Sequence, residues 1–223
     1  MSGLGNLEQS VVDEGVYWEE NSVLGKQVDA QLAHGYYFKT PEGLRFCKSR
    51  NFDDERIRNI LENLLPGSSL GFYKSYGAAE RDLCVLNRTS EETKVIVVQF
   101  WSSKSRVVFH RNSHRHVLNA IAAPTGLLEI PAVELNTTEI ARQIAPMGGG
   151  GFSILDGRTG FRILEGRAIM FAFVAPDELI HWAKMELPNL PELQAEVEEI
   201  ETNYKTIGVN FKFVERRFGV NCA

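Results

Sequence analysis

The sequence predicts an α+β protein whose strands build a barrel or jelly-roll core. Three observations carry that expectation: a stretch with clear helical spacing over 51–65, a central block of short β-rich segments between 94 and 174, and a return to helical spacing after Pro176. Hydrophobic residues make up 43% of the 223, enough for one large core, and no shift in composition marks an internal boundary. Residues 1–223 therefore read as a single domain.

Residues 1–45 mix polar and aromatic side chains without a sustained period, and Tyr36, Tyr37, Phe38 and Phe46 suggest short strands packed on something later in the chain. Over 51–65, Asn51 and Asp53 can cap, and Ile57, Ile60, Leu61, Leu64 and Leu65 recur at helical spacing until Pro66-Gly67 ends the run. Strands are expected at 94–101 (KVIVVQFW), 105–110 (SRVVFH), 152–155 and 167–174 (RAIMFAFV), with the glycine run 148–151 as a permissive turn leading into a strand. Pro176 opens a helix in which Leu179, Trp182, Ala183 and Leu187 share a face. A second late helix spans about 191–204, with Leu193, Val197, Ile200 and Tyr204 on one stripe, and 208–214 alternates as a strand.

Lys and Arg number 24 against 29 Asp and Glu, a net charge of -5 that offers no general attraction to nucleic acid. The first 21 residues show no secretion signal and no apolar run is long enough to span a membrane, so a cytoplasmic protein is expected. Cys47, Cys84 and Cys222 have no metal-knuckle or disulfide spacing and read as reduced thiols.

The densest ionisable cluster is His110, His114 and His116. In an extended segment their even spacing places them on one face, where imidazoles suit a transition metal; the alternative is a basic, solvated strand end interleaved with Arg106, Arg111 and Arg115. A second cluster lies in GGGGFSILDGRTGFRILEGRAIMFAF. There Arg158 and Arg167 are candidate anchors for an acidic ligand, set against a structural Asp156–Arg158 pair across a tight hairpin. His34 and His181 are isolated, and no GxSxG elbow, P-loop or GxGxxG fingerprint occurs.

The segments VVFHRNSHRH and GGGFSILDGRTGFRILEGRAIMFAFV resemble the central and distal parts of a phytanoyl-CoA-dioxygenase-like double-stranded β-helix. Together with the tail DELIHWAKMELPNLPELQAEVEEIE they are similar to a group of small fungal proteins associated with natural-product metabolism. The resemblance covers about the last two-thirds of the chain. It implies a jelly-roll or cupin-like barrel flanked by helices, with Asn112-Ser113-His114 resembling the first metal-binding turn and Arg167 near the arginine that grips 2-oxoglutarate. The family's His-x-Asp or His-x-Glu pair is absent: Lys74 to Asp82 stands where it belongs, and Phe161 where the distal histidine belongs. Against the cupin pattern, His114-Arg115-His116 fits two positions, but Glu129 comes too late.

The reading taken forward is an enzyme that performs redox-neutral cyclisation or isomerisation of a small apolar or acidic metabolite on an oxygenase-like barrel, with no cofactor expected. Asp156, Arg158, His114, Tyr76 and Glu80 are the candidates for proton transfer or charge stabilisation. Arg167, Phe161, Trp101 and Phe109 are the candidates for substrate binding. The alternatives are a non-catalytic metabolite-binding or scaffold protein, as a homodimer or as the partner of a related barrel, and an oxygenase using iron(II) and 2-oxoglutarate, or a cupin, with metal at His110, His114 and His116.

Overall fold

The computed structural model describes residues 4–33, 38–87 and 92–215. In chain order the elements are α1 (Leu4–Glu14), β1 (Val16–Glu20), α2 (Ser22–Ala33), α3 (Pro41–Cys47), α4 (Glu55–Leu64), β2 (Ser69–Gly77), β3 (Leu83–Cys84), β4 (Val95–Trp101), β5 (Ser105–Arg111), β6 (Ile121–Ala122), β7 (Leu128–Glu129), α5 (Ala132–Leu135), β8 (Ala141–Met147), β9 (Gly151–Asp156), β10 (Gly160–Glu165), β11 (Arg167–Val174), α6 (Pro176–Leu179), β12 (Met185–Pro188), α7 (Pro191–Asn203), β13 (Gly208–Val209) and β14 (Phe211–Val214).

The strands form two facing sheets, ordered β1-β9-β4-β11-β2-β13 and β6-β7-β3-β10-β5-β8, with β12 and β14 as a separate parallel pair. From β2 to β5 and again from β8 to β11 the chain alternates between the sheets, and the pairs β2–β11, β4–β11, β4–β9, β5–β10 and β5–β8 are antiparallel. That alternation makes an α+β double-stranded β-helix, a jelly roll flanked by helices. Among the described residues no helix is long and apolar enough to cross a membrane.

Period-2 alternation sorts β4 and β11 onto two cores. Ile96, Val98, Phe100, Ile169, Phe171 and Phe173 pack with the helices on the outer face of the sheet that holds β4 and β11. Val95, Val97, Trp101, Ala168, Met170, Ala172 and Val174 face the space between the sheets. Both faces of these strands are buried, which is why they read as apolar runs, broken only by Gln99 in β4 and by Arg167 at the start of β11.

Several expected elements differ. The described residues among the first 45 are mainly helical: α1 and α2 carry narrow stripes, Leu7/Val11 and Leu24/Val28, too sparse to display a period, and Phe46 lies in α3. Tyr36, Tyr37, His34 and Cys222 lie outside the described residues. Helix α4 is capped by Asp54, whose carboxylate accepts from the Arg56 and Ile57 amides; Asn51 and Asp53 belong to the preceding π-helical turn, Lys48–Phe52, and its end. The helix expected from Pro176 stops after one turn, because 185–188 leave it to pair with β14 and bury Leu187. The strand at 208–214 breaks at Asn210, with β13 joining β2 and β14 joining β12. Strands β2, β8 and β10 add to those expected. Gly151 sits at φ 150°, and a Cβ there would lie 2.1 Å from the Glu19 carbonyl oxygen, so the glycine run lets β1 close onto β9.

Candidate functional site

The space between the sheets gathers the aromatic candidates. Tyr76 from β2, Trp101 from β4, Phe109 from β5 and Phe161 from β10 belong to one buried cluster, and Trp101 meets Phe109 edge to face at 6.3 Å. The Tyr76 hydroxyl donates to the Thr125 carbonyl at 3.2 Å, where Lys74 Nζ also donates at 2.8 Å. Thr125 lies between β6 and β7, so these bonds tie that hairpin across the seam between β2 and the sheet that holds β6 and β7. Burial pushes the Tyr76 phenol well above its ordinary value, so it stays protonated throughout the neutral range.

Asp156 and Arg158 meet at the turn from β9 to β10. Arg158 Nε and Nη2 donate to the two Asp156 oxygens at 2.9 and 2.8 Å, the Arg158 amide donates at 2.9 Å, and Thr93 Oγ1 at 2.8 Å. The carboxylate is 2% exposed and fully engaged, and its hydrogen bonds hold the guanidinium pKa above its usual value. This is the hairpin pair set out above as the alternative to ligand anchoring.

His114 lies near this turn, but it faces the N-terminal segment. Its ring lies against Gly15, where an added Cβ would fall 2.4 Å from Nδ1. Nε2 is 3.1 Å from the Val12 carbonyl, which can only accept, so Nε2 carries the proton; among the described residues the buried Nδ1 meets no hydrogen-bond partner. Burial lowers its pKa.

The three histidines do not converge. Strand β5 ends at Arg111, Asn112 turns left-handed at φ 69°, and 113–115 form a 3-10 turn, which destroys the even spacing of an extended segment. His110 Nε2 meets Asp82 Oδ1 at 2.7 Å, whereas His116 lies 3.5 Å from Glu139. Arg162 Nε also donates to Asp82 at 3.0 Å, and its Nη2 reaches the second oxygen. Burial is the largest single influence on Asp82 and would raise its pKa, but the bonds and charges of His110 and Arg162 together hold it below the usual carboxylate value.

Glu80 and Arg167 stand apart. Glu80 is exposed on a cleft of about 420 Å³ that also holds Arg106 and Arg162. Arg167 opens β11 with an exposed side chain, while its amide bonds to Ser102 Oγ at 3.0 Å. Neither joins the aromatic interior.

Sequence reasoning missed Gln99 and Ser153, both fully buried between the sheets. Trp101 Nε1 donates to Ser153 Oγ at 2.9 Å, and Ser153 Oγ donates to Gln99 Oε1 at 2.7 Å. A signal was present: Gln99 is the lone amide in KVIVVQFW, and alternation aligns it with Val95, Val97 and Trp101.

The fold defines a class, the double-stranded β-helix flanked by helices. No family model matches the chain, and no curated protein matches it. Among solved structures it is similar to the epimerase SnoN from nogalamycin biosynthesis, in complex with Fe3+, alpha ketoglutarate and nogalamycin RO, at 11% identity and a TM-score of 0.55 over 78% of this chain and 84% of that one. It is also similar to HygX from Streptomyces hygroscopicus with nickel and 2-oxoglutarate bound, at 10% identity and a TM-score of 0.51 over 82% and 90%.

These structures correct the expectation of a barrel without a cofactor, because proteins of the same fold hold a metal ion and 2-oxoglutarate. The residues described in this chain do not fit a metal of that kind. Among them no three His, Cys, Asp or Glu side chains gather around one point, and Asp82 and Asp156 are each closed by a guanidinium. The His110, His114 and His116 site is likewise corrected, since each ring turns to a different partner.

Proposed function

We propose that this chain is a natural-product enzyme that converts a small, mostly apolar molecule into an isomer, by cyclisation or double-bond migration, within the space between its sheets. One observation carries the reading: a protonated phenol, Tyr76, sits in the same enclosed cluster as Trp101, Phe109 and Phe161. Aromatic walls select a reactive conformer, and a phenol held as a donor stabilises charge developing on a substrate oxygen. Its present acceptor, the Thr125 carbonyl, lies on a hairpin at the seam, so an arriving oxygen replaces one hydrogen bond with another.

A second reading has its own support. Trp101, Phe109 and Phe161 are each under 2% exposed, as befits a filled barrel that binds or supports a partner, whether a second copy or a related barrel. One experiment separates the two. The organism's small-molecule extract is incubated with the protein, with iron(II) and 2-oxoglutarate added because similar folds hold them, and followed by mass spectrometry. Conversion of one metabolite that falls at least tenfold in kcat for Tyr76→Phe, with an unchanged melting temperature, supports the enzyme; no conversion supports the binding protein.

A further inference from the structure

Resting on the reading that the barrel interior receives the substrate, we infer that Gln99 is a positioning residue whose side-chain amide donates to a neutral acceptor oxygen, a carbonyl or ether, of a mostly apolar molecule, and that Met170 fills the place of that oxygen. The Trp101 indole N–H can only donate. It donates to Ser153 Oγ at 2.9 Å, so the serine proton points elsewhere, and its recorded acceptor is Gln99 Oε1 at 2.7 Å. The carboxamide orientation is therefore set by chemistry, with its NH2 turned away from Ser153. The acceptor that NH2 meets among the described residues is the Met170 thioether, 3.7 Å away.

A thioether is a weak acceptor, whereas a buried amide donor without a good partner costs about 1–3 kcal/mol. An apolar side chain at position 99 would avoid that cost, so the network serves more than packing. Met170 is unbranched, with three rotatable side-chain bonds, and stands directly across from Gln99 on β11, so one rotamer change opens the donor. On the same faces Gln99 is flanked by Val97 and Trp101 and Met170 by Ala168 and Ala172, apolar neighbours that favour a neutral oxygen over a carboxylate.

The test uses the whole protein carrying 13C-methyl methionine, whose four methionines give few signals, and 15N in its glutamine side chains. Cyclohexanone is titrated against methylenecyclohexane, a probe of similar outline without the oxygen. The ketone is expected to move the Met170 methyl and the Gln99 side-chain amide and to bind at least about tenfold tighter, a difference of about 1.4 kcal/mol. Gln99→Leu should abolish that preference. Should Gln99→Leu fail to fold, Met170→Ala supplies the test, because removing the occupant should tighten the ketone several-fold more than the hydrocarbon. Equal affinities, unmoved Met170 and Gln99 signals, a preference that survives Gln99→Leu, or an equal gain for both probes in Met170→Ala would each overturn the inference. Ketone selectivity without metabolite conversion would keep this subsite and remove the enzyme reading; Tyr76-dependent conversion without selectivity would do the reverse.

Discussion

Arg158→Ala separates an arginine that holds the barrel together from one that waits for a ligand. Among the described residues, the substitution removes the hydrogen bonds to Asp156 from Nε and Nη2 and leaves those from the Arg158 amide and Thr93. Asp156 is 2% exposed, so water cannot replace the lost donors without opening the turn. Breaking a buried ion pair from one side costs about 3–5 kcal/mol, and the two surviving donors place this case near the lower end, about 3 kcal/mol. For a chain of this size that is a fall in melting temperature of about 6–12 °C. Differential scanning calorimetry of Arg158→Ala and of the double variant Asp156→Asn/Arg158→Met reads it, and the double variant should recover much of the loss because no unpaired charge stays buried. A fall of less than about 2 °C for Arg158→Ala would refute the structural assignment and restore Arg158 as a ligand anchor.

Three further predictions follow from buried polar groups. Asp82 has a depressed pKa, so the stability it supplies is present above the unfolded carboxylate value and is lost as pH falls through its folded value; the stability gap between the wild type and Asp82→Asn should narrow from about pH 5 to pH 2 in acid titrations followed by circular dichroism. His114 also has a depressed pKa, so its contribution is complete above about pH 6.5 and declines as pH falls from there through its folded value; His114→Gln should flatten that slope, and nitrogen NMR of the wild type should show the proton on Nε2. Ser153→Ala strands the Trp101 indole N–H and the Gln99 oxygen, and urea unfolding should show a loss of about 2 kcal/mol or more.

The barrel was legible in the sequence where both faces of a strand are buried. Residues 95–101, apart from Gln99, and 168–174 are apolar throughout, and 105–111 and 151–156 are bounded by Gly, Ser and Asn. The N-terminal helices were not legible, because each sets only one or two side chains per turn into a core assembled by distant strands. In the site, the aromatic set came together because alternation along single strands governs it. The histidine set did not, because Asn112 in the left-handed region ends the alternation that its spacing assumed. Gln99 was visible as an odd residue in an apolar run, but its partner Ser153 lies 54 positions away, a pairing that only the β4–β9 register reveals.

The central claim is that the interior around Tyr76 turns a small molecule into its isomer. The direct measurement is high-resolution mass analysis of the first substrate–product pair, run in deuterated water with wild type and Tyr76→Phe in parallel. The expected product has the same elemental composition as its substrate apart from exchanged deuterium and is formed at least tenfold more slowly by Tyr76→Phe. A product heavier by an oxygen atom, or formation at the same rate by Tyr76→Phe, would contradict the claim.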